Sequence, residues 1–357
     1  MKPVHRFARA VALPLLAVSA SIVTTMVVVV MAQGNRIPGL PVDVTKGPID
    51  MKLNDPVLVG AIDIHSHLDP DSQDNRAFDV IDAAKMAKAR GMRGFVVKTH
   101  TNLSSAASAY FARKEVPGVE VFGRFAMNLA TGGINPASVI EFTQTKGGWG
   151  RIVEMPTRDS KVPAKENRPG VLPWVDLFPT YPRVVSTIRG GEVLPEVKNL
   201  ITLLSRIKTP GSNGRVVLAT GHATAEEHVL IAREARRQGV PVLVTHSERL
   251  IPVPQMQELA KLGAYIEVNA GMFKTGEETE PQVRDAVQTI RDVGAESVIM
   301  GTDCGQVHSP FPADCMALAA RELRARGISE HELDLMMKVN PARLLGLPLL
   351  DQKPATK

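Results

Sequence analysis

Eight short apolar runs, separated by amphipathic segments, constrain the fold of this chain more than any other feature. The runs are rich in Val and Ile without polar alternation, which is typical of parallel strands buried on both faces. In chain order they are Val57–Ile64, Gly94–Lys98, Val119–Met127, Arg151–Met155, Val216–Thr220, Val240–Thr245, Ala264–Asn269 and Ser297–Gly301. Eight strand–helix alternations over residues 57–349 predict an α/β fold of the (β/α)8 TIM-barrel type.

Helix-start signals lie between these runs. Capping-box patterns begin at Thr224, Thr279 and Ser329, and Asn340-Pro341 predicts a fourth helix start, with Asn as the N-cap and Pro in the first turn. An open doubly wound sheet is the alternative architecture. It is disfavoured because no glycine-rich phosphate loop follows the first run.

The N-terminal 32 residues differ from the rest of the chain. Lys2, Arg6 and Arg9 carry their only charges, and residues 10–32 contain none. A basic start, an apolar run and Val-Met-Ala before Gln33 predict a cleaved signal peptide, although the run is long enough to remain as a membrane anchor. In both cases we expect export to the periplasm or medium. If retained, 10–32 is the membrane tether. Residues 33–56 then form a linker and 350–357 a tail.

The charge balance argues against a nucleic-acid partner. The formal net charge is +5, but without the three basic residues of the first segment 39 basic and 37 acidic residues remain. A net charge of +2 gives no electrostatic basis for binding nucleic acid. Export would permit a disulfide between Cys304 and Cys315, and a buried free thiol is equally compatible with the sequence.

One connection is much longer than the others. Residues 156–195 follow the fourth run and contain seven prolines together with Trp174, Phe178 and Tyr181. In a barrel this segment lies on the C-terminal face, above any active site, which predicts a lid-like insertion. The alternative is an irregular surface excursion, with a contact in a homo-oligomer as one form of it.

Histidines and acidic residues are concentrated where the apolar runs end. His65 and His67 have the i, i+2 spacing that places two side chains on one side of a strand. Later runs contribute Lys98, His100, Glu154, His222, His246 and Asp303. Because the C-terminal ends of barrel strands meet at one face, these groups are predicted to converge. A divalent cation would compensate the carboxylates and accept neutral imidazoles; the alternative is a buried polar network.

This ordered set resembles the amidohydrolase superfamily of metal-dependent hydrolases. The resemblance rests on Asp63-Ile-His65-Ser-His67, on Glu154, His222, His246 and Asp303, and on the closing Asn340-Pro-Ala-Arg-Leu-Leu-Gly-Leu347, and it spans residues 57–349. The segments Gly-Thr-Asp303-Cys-Gly-Gln and Lys98-x-His100 are similar to a poorly characterised hydrolase-like branch.

The resemblance implies one or two divalent ions, with zinc expected. His65, His67 and Asp303 would hold the first ion, and His222 and His246 the second. Either Glu154, from the fourth run, or a carboxylated Lys98 would bridge the pair. If Glu154 bridges, Lys98 and His100 become contacts to the substrate or transition state.

The function that follows is hydrolysis of a small-molecule substrate. A metal-activated water would cleave an amide, ester, lactone or related bond, with Asp303 as general base. The alternatives are a lyase, such as a decarboxylase, on the same barrel, and a non-catalytic exported metal- or solute-binding protein. Weaker candidates for the site are Glu248, Glu267, Asn269, Cys304 and His308.

Overall fold

Eight parallel strands surround a central axis in the computed structural model, which describes residues 51–72, 74–162, 184–210, 214–246, 251–270, 280–307 and 309–350. The strands are β1 Ile62–His67, β2 Gly94–Thr99, β3 Glu120–Ala126, β4 Gly150–Glu154, β5 Val217–Ala219, β6 Val242–Val244, β7 Tyr265–Asn269 and β8 Val298–Gly301. Each pairs in parallel with the next. The segment after β8 returns to β1 through a parallel Ser66–Cys304 bridge. The predicted TIM barrel is confirmed.

Helices follow the strands on the outside of the barrel. They are α1 Val80–Ala89, α2 Ser104–Glu115, α3 Pro136–Gln144, α4 Pro195–Arg206, α5 Ala225–Arg237, α6 Val253–Lys261, α7 Glu280–Val293, α8 Pro312–Arg324, α9 Glu330–Asp334 and α10 Asn340–Leu345. A hairpin of Ile188–Arg189 and Glu192–Val193 precedes α4. Within the ranges given above, no helix has both the length and the apolarity needed to span a membrane.

Two of the predicted helix starts are confirmed, and the cap predicted at a third is wrong. Complete capping boxes at Thr224 and Ser329 start α5 and α9. The Asn340 N-cap is wrong, because a π-helical turn, Leu335–Val339, runs directly into α10 and gives Asn340 helical backbone angles. Its buried side chain instead donates to the carbonyls of Ala295 and Val298.

The first apolar run begins with a turn rather than a strand. Pro56–Leu58 forms a 3-10 helix because the Asp55 carboxylate accepts a hydrogen bond from the Val57 amide. Upstream, the amides of Met51 and Leu53 donate to Asp314 of α8. The end of the predicted linker therefore contacts the barrel.

Several predictions fall outside the described residues. These are the signal or anchor at 1–32, the linker up to residue 50, the part of the lid-like insertion at 163–183, the capping box that begins at Thr279 and the tail after 350. They stay predictions.

The barrel interior is apolar at one end and polar at the other. Its apolar layer includes Ile64 of β1, Val96 of β2 and Phe122 of β3, and Leu344 and Leu345 of α10 pack against that layer. Further along the same strands, charged side chains replace the apolar ones at buried positions. The candidate site is built on this polar layer.

Candidate active site

A β-bulge in β1 turns both histidines of the His-x-His motif into the barrel. Ile62 and Ile64 belong to the interior layer, so strict alternation would place Ser66 there too. Asp63 pairs with Phe95 and Ser66 with Val97, so β1 has one more residue than β2 in this interval. The extra residue reverses which side chains face the barrel interior, so His65 and His67 point inward and Ser66 does not. His67 then pairs with Lys98 of β2.

His65, His67 and Asp303 bring three possible ligand atoms together. Nε2 of His65 lies 3.2 Å from Nε2 of His67 and 3.2 Å from Oδ1 of Asp303, and the His67–Asp303 distance is 3.0 Å. An ion bound tetrahedrally at about 2.0–2.1 Å keeps its ligand atoms about 3.3 Å apart. The triangle therefore has the dimensions of three vertices of a tetrahedral zinc site.

The other predicted histidines lie around this triangle. His246 can join His65 and Asp303 in a second set of three ligands whose atoms lie within 4.8 Å of one another. Its ring centre is 5.1 Å from that of His222. The His100 ring stacks on that of His67 at 5.0 Å. The structure thus brings together all five predicted histidines.

Burial keeps most of these imidazoles in the form that binds metals. It lowers the pKa of His67, His100 and His246 well below the ordinary value and that of His222 to about 4, with Lys98 adding to the effect at His222. In the described part of the chain, Nδ1 of His67 and Nδ1 of His222 are buried without a hydrogen-bond partner. Such unpaired nitrogens are costly. A cation bound at Nδ1 of His222 would compensate for that atom, whereas a cation at Nε2 of His67 leaves Nδ1 of that ring as an N–H without an acceptor.

The contacts of His65 provide a further test of whether a cation fits. Its Nδ1 lies against Oε1 of Glu267, and a carboxylate can only accept a hydrogen bond. A neutral His65 that donates from Nδ1 has only a lone pair on Nε2. In the neutral ring that lone pair faces Oδ1 of Asp303 at 3.2 Å, and a cation between the two atoms would satisfy both. Without an ion a proton on Nε2 fills the same place, because, although burial opposes them, Glu267 and Asp303 raise the pKa of His65. The donor set therefore fits a divalent ion.

Beneath the histidines lies a buried cluster of four charges, Lys98, Arg124, Glu154 and Glu267. The Arg124 guanidinium donates to both oxygens of Glu154, and its Nη1 lies 3.4 Å from Oε2 of Glu267. Nζ of Lys98 lies 3.3 Å from Oε1 of Glu154. Two cations and two anions make this four-charge cluster neutral.

Glu154, the predicted bridging residue, has protein partners on both carboxylate oxygens. Oε1 accepts from Arg124 and Thr245 and faces Lys98, while Oε2 accepts from Arg124. Although burial raises the pKa of Glu154, Arg124 and Lys98 outweigh it and hold this pKa well below its usual range. The carboxylate serves as the counter-ion of two buried cations.

The predicted alternative, a carboxylated Lys98, also meets an electrostatic obstacle. Carboxylation would replace the ammonium by an anion next to Glu154. The ion pair between these two side chains therefore favours unmodified Lys98. In this structure the two groups pair with each other, and the prediction that one of them bridges two ions stays a prediction.

His100 is fixed by a hydrogen-bond network that the sequence did not reveal. Its Nδ1 lies 2.8 Å from the hydroxyl of Thr157. Asn128, after β3, donates to that hydroxyl and to the His100 carbonyl, and accepts from the amide of Thr157. Asn128 carries no charge and belongs to no motif, so no sequence signal marks it.

Two candidate ligands have unusual backbone conformations. His246 and Asp303 have φ values of 52° and 53°, in the left-handed region that side chains other than glycine rarely adopt. Such conformations cost on the order of 1–3 kcal/mol each and cluster at functional sites. Both residues follow the end of a barrel strand. Their left-handed backbone ends the extended conformation there and changes the direction in which their side chains point.

The segment that carries Asp303 is held to β1 by backbone hydrogen bonds and to α8 by a disulfide. The Asp303 amide donates to the His65 carbonyl at 2.7 Å, and the His67 amide donates to the Cys304 carbonyl at 2.8 Å. Cys304 forms a disulfide with Cys315 of α8. The disulfide allowed by the sequence is therefore present, and it ties the residue after Asp303 to an outer helix.

The weaker candidates divide into three groups. Glu267 contacts His65 and Arg124, and Nδ2 of Asn269 contacts Nδ1 of His246. Cys304 is engaged in the disulfide and does not contribute a thiol. Glu248 and His308 lie outside the described residues. Arg124, the largest fully buried side chain among the described residues, was missed because its position in the middle of β3 gave no motif.

Fold and site together define a TIM-barrel protein with a histidine-rich candidate metal centre at the C-terminal ends of its strands. The chain belongs to a family of unknown function, DUF6282, whose model matches residues 60–267. A search of curated protein sequences found no match.

Solved structures that resemble this chain share its fold at low identity. A triple mutant of an organophosphorus hydrolase from Deinococcus radiodurans is 14% identical, with 81% of this chain and 93% of that chain covered and a TM-score of 0.51. The phosphotriesterase homology protein from Escherichia coli, in complex with phosphate, is 14% identical over 81% and 99%, also at 0.51. A protein engineered for organophosphate hydrolysis from a weak promiscuous lactonase template is 15% identical over 81% and 96%, again at 0.51. At such identities the likeness establishes the fold.

Proposed function

We propose that this protein is a divalent-metal-dependent hydrolase of the amidohydrolase superfamily. The observation that carries the proposal is the convergence of Nε2 of His65, Nε2 of His67 and Oδ1 of Asp303 at 3.0–3.2 Å from one another. The superfamily resemblance of the same residues supports it. So does the fold shared with hydrolases that act on organophosphates and lactones.

We infer one ion rather than two. His65, His67 and Asp303 would hold it, and His246 or His222 would complete the ligand set; zinc suits these imidazole and carboxylate donors. In the two-ion arrangement that the resemblance implies, an anionic side chain bridges the ions. The four-charge cluster of Lys98, Arg124, Glu154 and Glu267 is already neutral, so it offers no uncompensated negative charge to a second cation.

The ligands differ in their access to a substrate. The side chain of Asp303 is 24% exposed, whereas those of His65 and His67 are 0% and 3% exposed. A bound divalent ion would acidify water and polarise a carbonyl or phosphoryl oxygen. Asp303 can take the proton from the attacking water and pass it to the leaving group. We propose that Lys98 and His100 stabilise negative charge that develops on the substrate; Lys98, which is buried beneath the histidines, would act at a distance rather than by contact.

The proposed substrate is a small molecule with an amide, ester, lactone or phosphoester bond. Each of these bonds has an oxygen that a cation can polarise and that becomes more negative during attack by water. The segment 156–195 is proposed as the lid over this substrate, because it follows β4 at the catalytic face of the barrel.

The proposed location is outside the cytoplasm. The sequence of residues 1–32 predicts export, and the Cys304–Cys315 disulfide is of the kind that forms in oxidising compartments. Fusion of residues 1–32 to a reporter that works only after export tests this location. A fusion that is produced but whose reporter stays inactive would contradict it.

The function is tested by assaying the purified chain on lactones, carboxyl esters, amides and phosphotriesters, with and without chelator. Hydrolysis of at least one class should disappear with chelator and return when zinc is added. Activity that chelator leaves unchanged would refute the proposal. Carbon dioxide release instead of water uptake would indicate a lyase.

A further inference from the structure

Glu267 is a buried carboxylate for which the proposed hydrolysis has no use. It is 0% exposed on β7, so it cannot reach a substrate. Oε1 contacts Nδ1 of His65, and Oε2 lies 3.4 Å from Nη1 of Arg124. The carboxylate therefore lies between a candidate metal ligand and the guanidinium of the four-charge cluster.

The contact with His65 determines which nitrogen of that ring can bind a cation. A carboxylate accepts hydrogen bonds, so Nδ1 of His65 must be the donor. The neutral ring then has its lone pair on Nε2, the atom that lies 3.2 Å from both His67 and Asp303. We propose that Glu267 is a positioning residue that fixes the tautomer and orientation of His65, so that Nε2 binds the ion; this inference rests on the proposed metal-dependent function.

A neighbouring glycine provides independent support. Gly301 ends β8 and is not one of the glycines with positive φ, so backbone conformation does not require glycine there. A Cβ at this position would lie 2.9 Å from Oε1 of Glu267 and 3.0 Å from Cβ of His65. The missing side chain leaves the space in which the His65–Glu267 pair forms.

Arg124 explains how the carboxylate can be buried at this place. Its guanidinium lies between Glu154 and Glu267 and compensates both charges. Glu154 is therefore a matched control for Glu267. Both carboxylates are fully buried and share Arg124, but the partners of Glu154 are Arg124, Thr245 and Lys98 rather than an imidazole.

The test compares zinc binding by wild type, Glu267→Gln and Glu154→Gln in competition with a chromogenic chelator. An amide can donate to Nδ1 as well as accept from it, so glutamine no longer dictates the tautomer of His65. We expect about 10–100-fold weaker zinc binding in E267Q, the usual effect of losing such a partner of a ligand. E154Q should bind zinc nearly as tightly as wild type.

A spectroscopic measurement separates positioning from general loss of stability. ¹⁵N NMR of the metal-free protein, recorded above the pH at which His65 loses its proton, should show His65 as a single tautomer protonated at Nδ1 in wild type and E154Q, and as a mixture in E267Q. If E267Q does not fold, Gly301→Ala provides the second variant, because its methyl group would separate Glu267 from His65. G301A should also bind zinc more weakly.

The outcomes distinguish this inference from the proposed function. If wild type binds no zinc, the proposed function fails, and the role assigned to Glu267 fails with it. If wild type binds zinc and E267Q or G301A binds it equally tightly, only the Glu267 inference is overturned. Equal weakening in E267Q and E154Q would also overturn it, because the effect would then belong to the shared Arg124.

Discussion

Among single residues, Asp303 is the most informative to change. It is a candidate metal ligand, and it is also the most exposed of the three groups in the ligand triangle. Asp303→Asn keeps an oxygen donor but removes the base. We expect the rate of hydrolysis to fall by about 10²–10⁴-fold, as on loss of a general base. Zinc bound at saturating concentration should remain close to the wild-type amount.

The control for this variant is Asp55→Asn. Asp55 is half-buried and accepts hydrogen bonds from the Val57 amide and from Arg324, ahead of β1 rather than at the C-terminal ends of the strands. Its substitution should change the rate little. An Asp303→Asn enzyme with the wild-type rate would rule out Asp303 as the base.

Lys98 has a chemical state that can be tested directly. Its ion pair with Glu154 predicts an ammonium, so protein equilibrated with ¹³C-bicarbonate should give no carbamate signal in the NMR spectrum. Lys98→Met should lower the turnover number by about 10²-fold if the ammonium stabilises developing charge. A carbamate signal that disappears in K98M would instead support the bridged two-ion site.

At the scale of elements, the segment between β8 and α8 links redox state to the metal site. The chain has two cysteines, and both form the one disulfide, so a reductant acts on a single bond. The disulfide closes a short loop, and loss of the disulfide should lower the free energy of unfolding by about 2–3 kcal/mol. Because Cys304 adjoins Asp303, reduction should also speed zinc loss to a chelator.

The control for this experiment is the double variant Cys304→Ser/Cys315→Ser. It should lose zinc as quickly as the reduced wild type, and added reductant should have no further effect on it. Equal zinc release from oxidised and reduced wild type would show that the disulfide stabilises the barrel without positioning Asp303.

α5 contributes a pH-dependent element of stability. His228 is buried there with Nδ1 2.7 Å from the Thr220 hydroxyl, and burial lowers its pKa to about 3. Between that value and the ordinary 6.5, the unfolded chain binds a proton that the folded protein does not. Stability should therefore fall as pH falls, by up to about 1.4 kcal/mol per pH unit from this group.

Denaturant unfolding between pH 4 and 6 measures this contribution. His228→Gln should make the dependence of the unfolding free energy on pH shallower by roughly that amount. The exposed His331 provides the control, because its substitution by glutamine should leave the slope unchanged. The account of His228 fails if both variants retain the wild-type slope.

At the scale of the whole molecule, the sequence predicted the architecture and the side chains that meet at one face. Both follow from position in the chain: buried parallel strands have continuous apolar runs, and the residues after them converge in a barrel. The roles of Glu154 and Lys98 did not follow, because they depend on Arg124 from a third strand. The bulge in β1 and the strained backbone of His246 and Asp303 also arise from packing between strands that no local pattern records.

The measurement that most directly tests the central claim is the number and position of bound metal ions. Metal analysis of the dialysed protein, combined with anomalous diffraction from its crystals, gives both. We predict one divalent ion per chain, bound by His65, His67 and Asp303, with Glu154 still paired to Arg124 and Lys98. Absence of stoichiometric metal, or two ions bridged by Glu154 or a carboxylated Lys98, would contradict this account.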